Sequence, residues 1–561
     1  PILSDWHFAL ALPAESPTLY HGNGDTCTPD GYEWWTTPVT SEGIVKQPCG
    51  DGTPCNGAFP YMRLFTHKGH GFNIAVGWSG TWRLEAKLQS AGDFDETRVT
   101  VGQATFRSYL KPGETVRTPR LTLQAFTDGD DRGRNLWRSF YIDHILPRED
   151  GHPLDPKLVL HTWMIDGLPE FCGVTEENQL AAIDTYLAGG LKPDIWWIDA
   201  GWYPCNNDWP MTGNWYPNPD HFPRGMGPVG EKLAKEGIDF LVWFEPERVR
   251  RGTKLWNEHP EWLLHYLRDD NPWLADNALF DLGNPAACDW LIDTIDGIIK
   301  DSHIKIYRQD FNFNPLATWN RADRDADPNG ERKGATEVHH INNLWRFWDA
   351  LLERFPHLLI DDCAGGGHRI DIEMLSRSVP LWRSDYQCTW DCCPEVNQNS
   401  NMRAAWWYPY SGIGYGPTLG DTYSFRSAYT NGMTVRTWEH ADPEWKVGGM
   451  NEPFDWAKRY FAEYARLRHY FAEDFYPLIP PSDVNTTWVA SQYHARSDGS
   501  GLILAFRRAM CPYEQAHVEL GGIDRRRNYV FTNEDTGESF TVAGTTLLAE
   551  GLTLTIPEKR Q

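Results

Sequence analysis

A chain of 561 residues with 52 Lys and Arg against 77 Asp and Glu carries a formal charge of −25 at pH 7. That balance argues against a general partner for nucleic acid or an anionic membrane surface, since both are polyanions. No run approaches the 18 or so apolar residues of a membrane-spanning helix, mean hydropathy is −0.54, and the length exceeds what one hydrophobic core supports, so two or more domains are expected.

From residue 72 to 126 apolar residues alternate with period two: Phe72, Ile74 and Val76, then Trp82, Leu84 and Ala86, then Val99 and Val101. Glycine and proline punctuate the runs, which predicts antiparallel strands joined by turns. Residues 1–150 are read as an N-terminal β-domain, with 128–134 as a charged surface loop. After Pro153 short apolar segments alternate with amphipathic stretches. Strands are predicted at 158–164, 194–203, 239–246, 279–282, 304–311, 358–363, 380–385 and 407–412, and helices at 176–187, 286–300, 338–354 and 456–469. Eight such units suit a parallel (β/α)8 TIM barrel over 151–478, and a doubly wound open sheet would show the same alternation. Past Pro480 the runs 487–493, 501–507, 517–520, 529–532 and 552–556 read as short strands of a C-terminal β-sandwich, 479–561.

The 28 Trp, 23 Tyr and 25 Phe are either platforms for sugar faces or ordinary core. The eleven cysteines are scattered without paired C-x-x-C units, so buried thiols are expected and a structural zinc site is not. No charged-then-apolar leader is visible, and cytoplasm is favoured over secretion.

Catalytic groups of a parallel barrel sit at the C-terminal strand ends. Asp199, Glu245 with Glu247, Asp310 and Asp385 all fall there, among Trp196, Trp197, Trp202, Trp243 and Trp382. Carboxylates among indoles suit a site that stacks a sugar and works on it by acid/base chemistry; the alternative for each Asp is capping of the next helix.

Trp243-Phe244-Glu245-Pro246-Glu247, Asp310 followed by Asn312, Cys363-Ala364-Gly365-Gly366-Gly367-His368-Arg369 and Trp382-Arg383-Ser384-Asp385 resemble the motif series of glycoside hydrolase family 36, the α-galactosidases, and Gly77-Trp78-Ser79-Gly80-Thr81-Trp82 is similar to a segment of that family's N-terminal sandwich. The resemblance runs from about residue 60 to 410. It implies an N-terminal β-sandwich, a catalytic barrel and a C-terminal β-domain. It also implies a retaining mechanism with Asp310 as nucleophile and Asp385 as general acid/base. Arg308, on the same strand face as Asp310, is expected to help keep it ionised.

By the same resemblance Asp199 is the first Asp of an Asp-Asp-Gly-Trp motif that binds sugar hydroxyls; the second is Ala200 here. Arg308 replaces a Lys that holds hydroxyls, and Cys363, Ala364 and Gly365 replace a more polar loop facing the 2-hydroxyl, leaving room there. Gly366, Arg369, Trp163, Trp202, Trp243 and Trp382 complete the candidate sugar-binding set. The family default is a terminal α-galactoside of an oligosaccharide or glycoconjugate. The alternatives are an α-N-acetylgalactosaminide or α-galactosaminide, then a transglycosylase, then a sugar-binding protein without catalysis. No cofactor or metal is needed by this mechanism, and family members often form homo-oligomers.

Overall fold

Seven parallel strands form the central sheet: Lys157–Thr162, Ile195–Ile198, Asp239–Phe244, Ile306–Gln309, Leu359–Asp362, Gly412–Tyr415 and Gly432–Arg436. The computed structural model describes residues 7–13, 16–49, 51–67, 69–90, 92, 95–162, 171–265, 275–389, 392–415, 421–436 and 452–560. The first strand in sequence, Lys157–Thr162, pairs on one side with Ile195–Ile198 and on the other with the last, Gly432–Arg436, so the sheet curls as a TIM-type sheet does.

Its two edges are joined through residues 379–383. Val379 N donates to Ile360 O and Asp362 N to Val379 O, each at 2.9 Å; on the far side Gly412 N donates to Pro380 O at 2.6 Å and Arg383 N to Gly412 O at 3.4 Å. This is where sequence predicts the strand 380–385. It lacks a regular ladder because Pro380 has no N–H to give. The backbones also meet so closely that a Cβ on Gly412 would lie 2.0 Å from Leu381 O.

Side chains alternate across the sheet. Val159, Ile195, Trp197, Leu241 and Ile306 share one core. Leu158, Leu160, Trp196, Ile198, Phe240 and Val242 share another with the covering helices. Those helices are well punctuated: Glu176–Ala188 opens on a capping box between Thr175 and Asn178, and Pro285–Ser302 on Asn284 with proline in its first turn. The longest, Ala335–Arg354, covers the Ile306–Gln309 strand with Leu344, Phe347, Trp348 and Leu351 buried.

Four elements differ from expectation. The segment predicted at 279–282 is the strand Asn277–Phe280, the middle of a three-stranded antiparallel sheet outside the parallel one. The parallel strand Gly432–Arg436 was not foreseen. Residues 128–134 are not a loop but lead into the helix Asp130–His144; Arg134 is buried there, paired with Asp130 and Asp131 and stacked on Trp406 at 4.4 Å. The C-terminal strands lie in sheets of three, two and two strands, and the helix Gly544–Glu550 interrupts them.

The N-terminal region holds a four-stranded and a five-stranded antiparallel sheet, and Leu64, Ile74, Val76, Leu84, Val99 and Val101 from both enter one core. Indole N–H groups fasten it to the parallel sheet's surroundings. Trp78 donates to Glu337 Oε1 at 2.8 Å, Trp137 to Trp407 O at 2.8 Å, and Trp345 returns a bond to Ser79 Oγ at 3.0 Å.

Candidate active site

The strand Ile306–Gln309 sorts its side chains by parity. Tyr307 and Gln309 face the helix Ala335–Arg354, where Trp348 Nε1 donates to Gln309 Oε1 at 2.7 Å. Arg308 and Asp310 face the other way. Asp310 Oδ1 accepts from Phe311 N at 2.7 Å and Gly365 N at 3.1 Å; Oδ2 accepts from Asn312 Nδ2 at 2.7 Å and Trp243 Nε1 at 3.2 Å. Burial alone would push this carboxyl up. The Arg308 charge, together with hydrogen bonds from Asn312, the Cys363 thiol and Phe311 N, outweighs burial and holds it below the usual carboxylate range. Arg308 is itself held in place: its ion pair is with the buried Asp361, its cross-strand neighbour, at 2.5 Å, and its guanidinium stacks 4.3 Å from the Trp197 ring.

Asp385 opens the short turn Asp385–Cys388, with Ser384 as its cap. Trp382 Nε1 donates to Asp385 Oδ1 at 3.2 Å. Burial, the Asp310 carboxylate and Asp25 push the Asp385 carboxyl up to about 8 against the pull of Arg308. Gly366 has a φ of +83°, and a Cβ there would sit 2.5 Å from Asp385 N, so this glycine permits the close approach of the two loops. Two carboxyls on one pocket, one held ionised and one held protonated, have the opposed environments that acid/base chemistry requires.

Asp310 and Asp385 line a cavity of about 160 Å³ with four other members of the candidate set, Asp199, Arg308, Trp243 and Trp382. Asp199 Oδ2 accepts from Trp197 Nε1 at 2.9 Å and contacts His161 Nε2 at 3.2 Å. His161, Phe171, Trp197, Trp209, Asn312 and Cys388 also line it. Of these, His161 shares the parity of Val159 and Trp197 that of Asp199, a signal present in the sequence; Phe171 and Trp209 come from loops with no local signal.

Other predicted residues stand behind the pocket. Cys363 is buried with its thiol on Asp310, and Gly365 offers its N–H to the same carboxylate. Arg369 does not line the cavity: it is buried with NH1 on Glu247 Oε1 at 2.7 Å and its guanidinium against Phe311. Glu247 also takes bonds from Gln309 and His340 at 2.7 Å each; burial opposes ionisation, but Arg369 and His340 bring its carboxyl down to about 2. Glu245 pairs with Arg248 and accepts Asn312 N at 2.6 Å. Trp202 is not a sugar platform either; it is fully buried, gives its N–H to Trp243 O at 2.9 Å and packs on Phe244. Trp196 faces the helix Glu176–Ala188 and bonds Gln179, because it precedes Trp197 by one position. Trp163 lies outside the described residues.

A carboxylate from the N-terminal region, Asp25, also reaches this site. Asp25, Cys27 and His368 bring oxygen, sulfur and nitrogen atoms within 4.8 Å of one another, the grouping among the described residues with a cation's donor set. Hydrogen bonds already engage it: the Cys27 thiol lies 3.3 Å from Gly365 O, 3.6 Å from His368 Nε2 and 3.7 Å from Asp25 Oδ2, and we read it as a linkage between loops.

Residues 162–414 match the Melibiase family model, which bears out the resemblance drawn from the motifs. Alpha-galactosidase AgaA of Geobacillus stearothermophilus is 25% identical over 322 residues, 57% of this chain and 42% of that protein. The alpha-galactosidase of Escherichia coli is 26% identical over 399 residues, 68% and 52%. The chain thus aligns with about half or less of the length of these curated relatives. The crystal structure of the GH36 alpha-galactosidase AgaA superposes with a TM-score of 0.81 at 19% identity, covering 98% of this chain and 74% of that one. The Lactobacillus brevis alpha-galactosidase gives 0.80 at 18%, covering 98% and 73%. The fold is therefore that of these enzymes.

Proposed function

We propose that this chain, whose residues 162–414 carry a Melibiase-type domain, is a retaining α-galactoside hydrolase acting on the terminal sugar of an oligosaccharide. Asp310 attacks the anomeric carbon as the bond to the leaving oxygen breaks, and the proton on Asp385 passes to that oxygen. Asp385, now ionised, takes a proton from water as the water displaces Asp310 from the glycosyl ester. The observation that carries the reading is the opposed environment of the two carboxyls, Asp310 ionised under Arg308 and Asp385 protonated. The galactoside assignment is supported by the names of the relatives, and the oligosaccharide by AgaA variants crystallised with raffinose and with stachyose.

Asp199, Trp243, Arg308 and Trp382 hold the sugar in this scheme, while Cys363, Gly365 and Gly366 position the two carboxyls. The proposal includes β-sandwiches at 1–150 and 479–561 flanking a (β/α)8 barrel at 151–478, and assembly into a homo-oligomer. Proton NMR of nitrophenyl α-galactoside hydrolysis tests the function: α-galactose as first product, lost in Asp310→Asn, supports it, and β-galactose as first product refutes it. Parallel assays on the α-N-acetylgalactosaminide and α-galactosaminide fix the sugar.

A further inference from the structure

Asp25 precedes the catalytic strands by more than a hundred residues, yet it is fully buried against the acid/base turn. Its Oδ1 accepts from Ser384 Oγ at 2.7 Å and Cys27 N at 3.0 Å, and its Oδ2 from Gly367 N at 2.8 Å. Ser384 caps the turn that begins at Asp385. Gly367 lies two residues beyond Gly365, whose N–H holds Asp310. The two segments also bridge directly through Gly366 and Ser384. One carboxylate from the N-terminal region therefore joins the turn of the acid to the loop of the nucleophile.

The choice of an ionisable group is informative. A buried carboxylate is costly to desolvate, and a neutral acceptor could take the same hydrogen bonds at less cost. What the neutral group would lack is charge beside Asp385. The charged and titratable groups on or near Asp385 and Asp25 include Asp310 and Asp199, the Arg308 and Arg383 cations, the His368 imidazole, and the thiols of Cys27, Cys363 and Cys388. Among the carboxylates, Asp25 ranks after Asp310 and ahead of Asp199 in favouring the protonated acid.

We propose that Asp25 is a positioning residue for acid catalysis: it clamps the Ser384–Asp385 turn to the Gly365–Gly367 loop and so fixes the Asp385 carboxyl as proton donor to the leaving oxygen. The proposal rests on the assignment of Asp385 as acid/base. Asp25→Asn keeps the size and one acceptor oxygen while removing the charge. Its kcat/KM is measured against pH on two substrate classes, nitrophenyl α-galactosides, whose leaving groups need little protonation, and α-galactosides of alcohols or sugars, which need it fully.

The expected result is a loss on the order of 100-fold on the alcohol and sugar galactosides against less than about tenfold on the activated aryl ones. The alkaline limb moves down by about one pH unit. Ser384→Ala, which breaks the clamp and leaves the charge, serves as second variant should Asp25→Asn fold poorly; it shows the same substrate bias with the limb in place. Equal losses on both classes with an unmoved limb overturn the proposal and reduce Asp25 to a structural anchor. A wild-type protein that turns over neither class overturns the functional reading beneath it instead.

Discussion

Replacing Asp385 with Asn should make the protein more stable at neutral pH while removing its turnover. In the folded chain burial, then Asp310 and Asp25, raise this carboxyl to about 8, whereas an unfolded Asp ionises near ~4. A carboxyl raised on folding holds its proton more tightly in the native state, so it opposes folding once the unfolded chain has ionised. The penalty is absent below pH ~4, grows as pH rises, and levels off above about 8. At pH 7 about three pH units of it are in force, or roughly 4 kcal/mol. Asn keeps the acceptor for Trp382 Nε1 but buries an amide N–H, which costs about 1–3 kcal/mol, leaving a net gain of about 1–3 kcal/mol. Thermal and urea unfolding of both proteins at pH 7 and pH 4 measure it. The variant should unfold later than the parent at pH 7 and earlier at pH 4, the difference falling by roughly 4 kcal/mol and changing sign between them. A variant no more stable at pH 7, or a difference that ignores pH, would refute the claim that Asp385 is held protonated.

Three further substitutions separate positioning from packing. Asp361→Asn strands the buried Arg308 and should destabilise the chain by about 3–5 kcal/mol, read as a fall in the unfolding midpoint. Trp243→Phe keeps the wall and removes the N–H on Asp310; the carboxyl's pKa should rise, so that, with Asp310 as the proposed nucleophile, the acid limb of kcat/KM should move to higher pH and activity fall about tenfold or more, with the melting temperature nearly unchanged. Gly366→Ala places a methyl 2.5 Å from Asp385 N at a φ of +83°, and should cut turnover of unactivated galactosides more than it weakens sugar binding measured by calorimetry.

The strands were legible because buried parallel strands are short apolar runs, and Asp199, Asp310 and Asp385 were legible as polar ends to those runs. Parity was available as well: Trp197 shares it with Asp199, and Trp196 does not, which separates pocket from helix packing. What failed had no local trace. The helix Asp130–His144 begins with two acids, a normal first turn, but its Arg134 looks solvated until Asp130, Asp131 and Trp406 are brought around it. The edge closure at 379–383 depends on Gly412 meeting Leu381, and Asp25 on Ser384 and Gly367, contacts that only the fold creates.

The aromatic excess is both of the things it could have been, and the indole nitrogen connects them. Outside the pocket, Trp78, Trp137, Trp196, Trp345 and Trp348 each bury a large apolar surface and spend one N–H on another element. Inside it the same device recurs on the chemistry: Trp197 donates to Asp199, Trp243 to Asp310 and Trp382 to Asp385. An indole N–H does not titrate in the working range, so it orients a carboxylate without competing for its proton, while the ring excludes water. A lysine or arginine in place of Trp243 or Trp382 would add charge beside Asp310 and Asp385, whose ionisation differs. With indoles as the common partner, the difference between Asp310 and Asp385 is left to Arg308, which helps hold the first ionised, and to burial, Asp310 and Asp25, which raise the second.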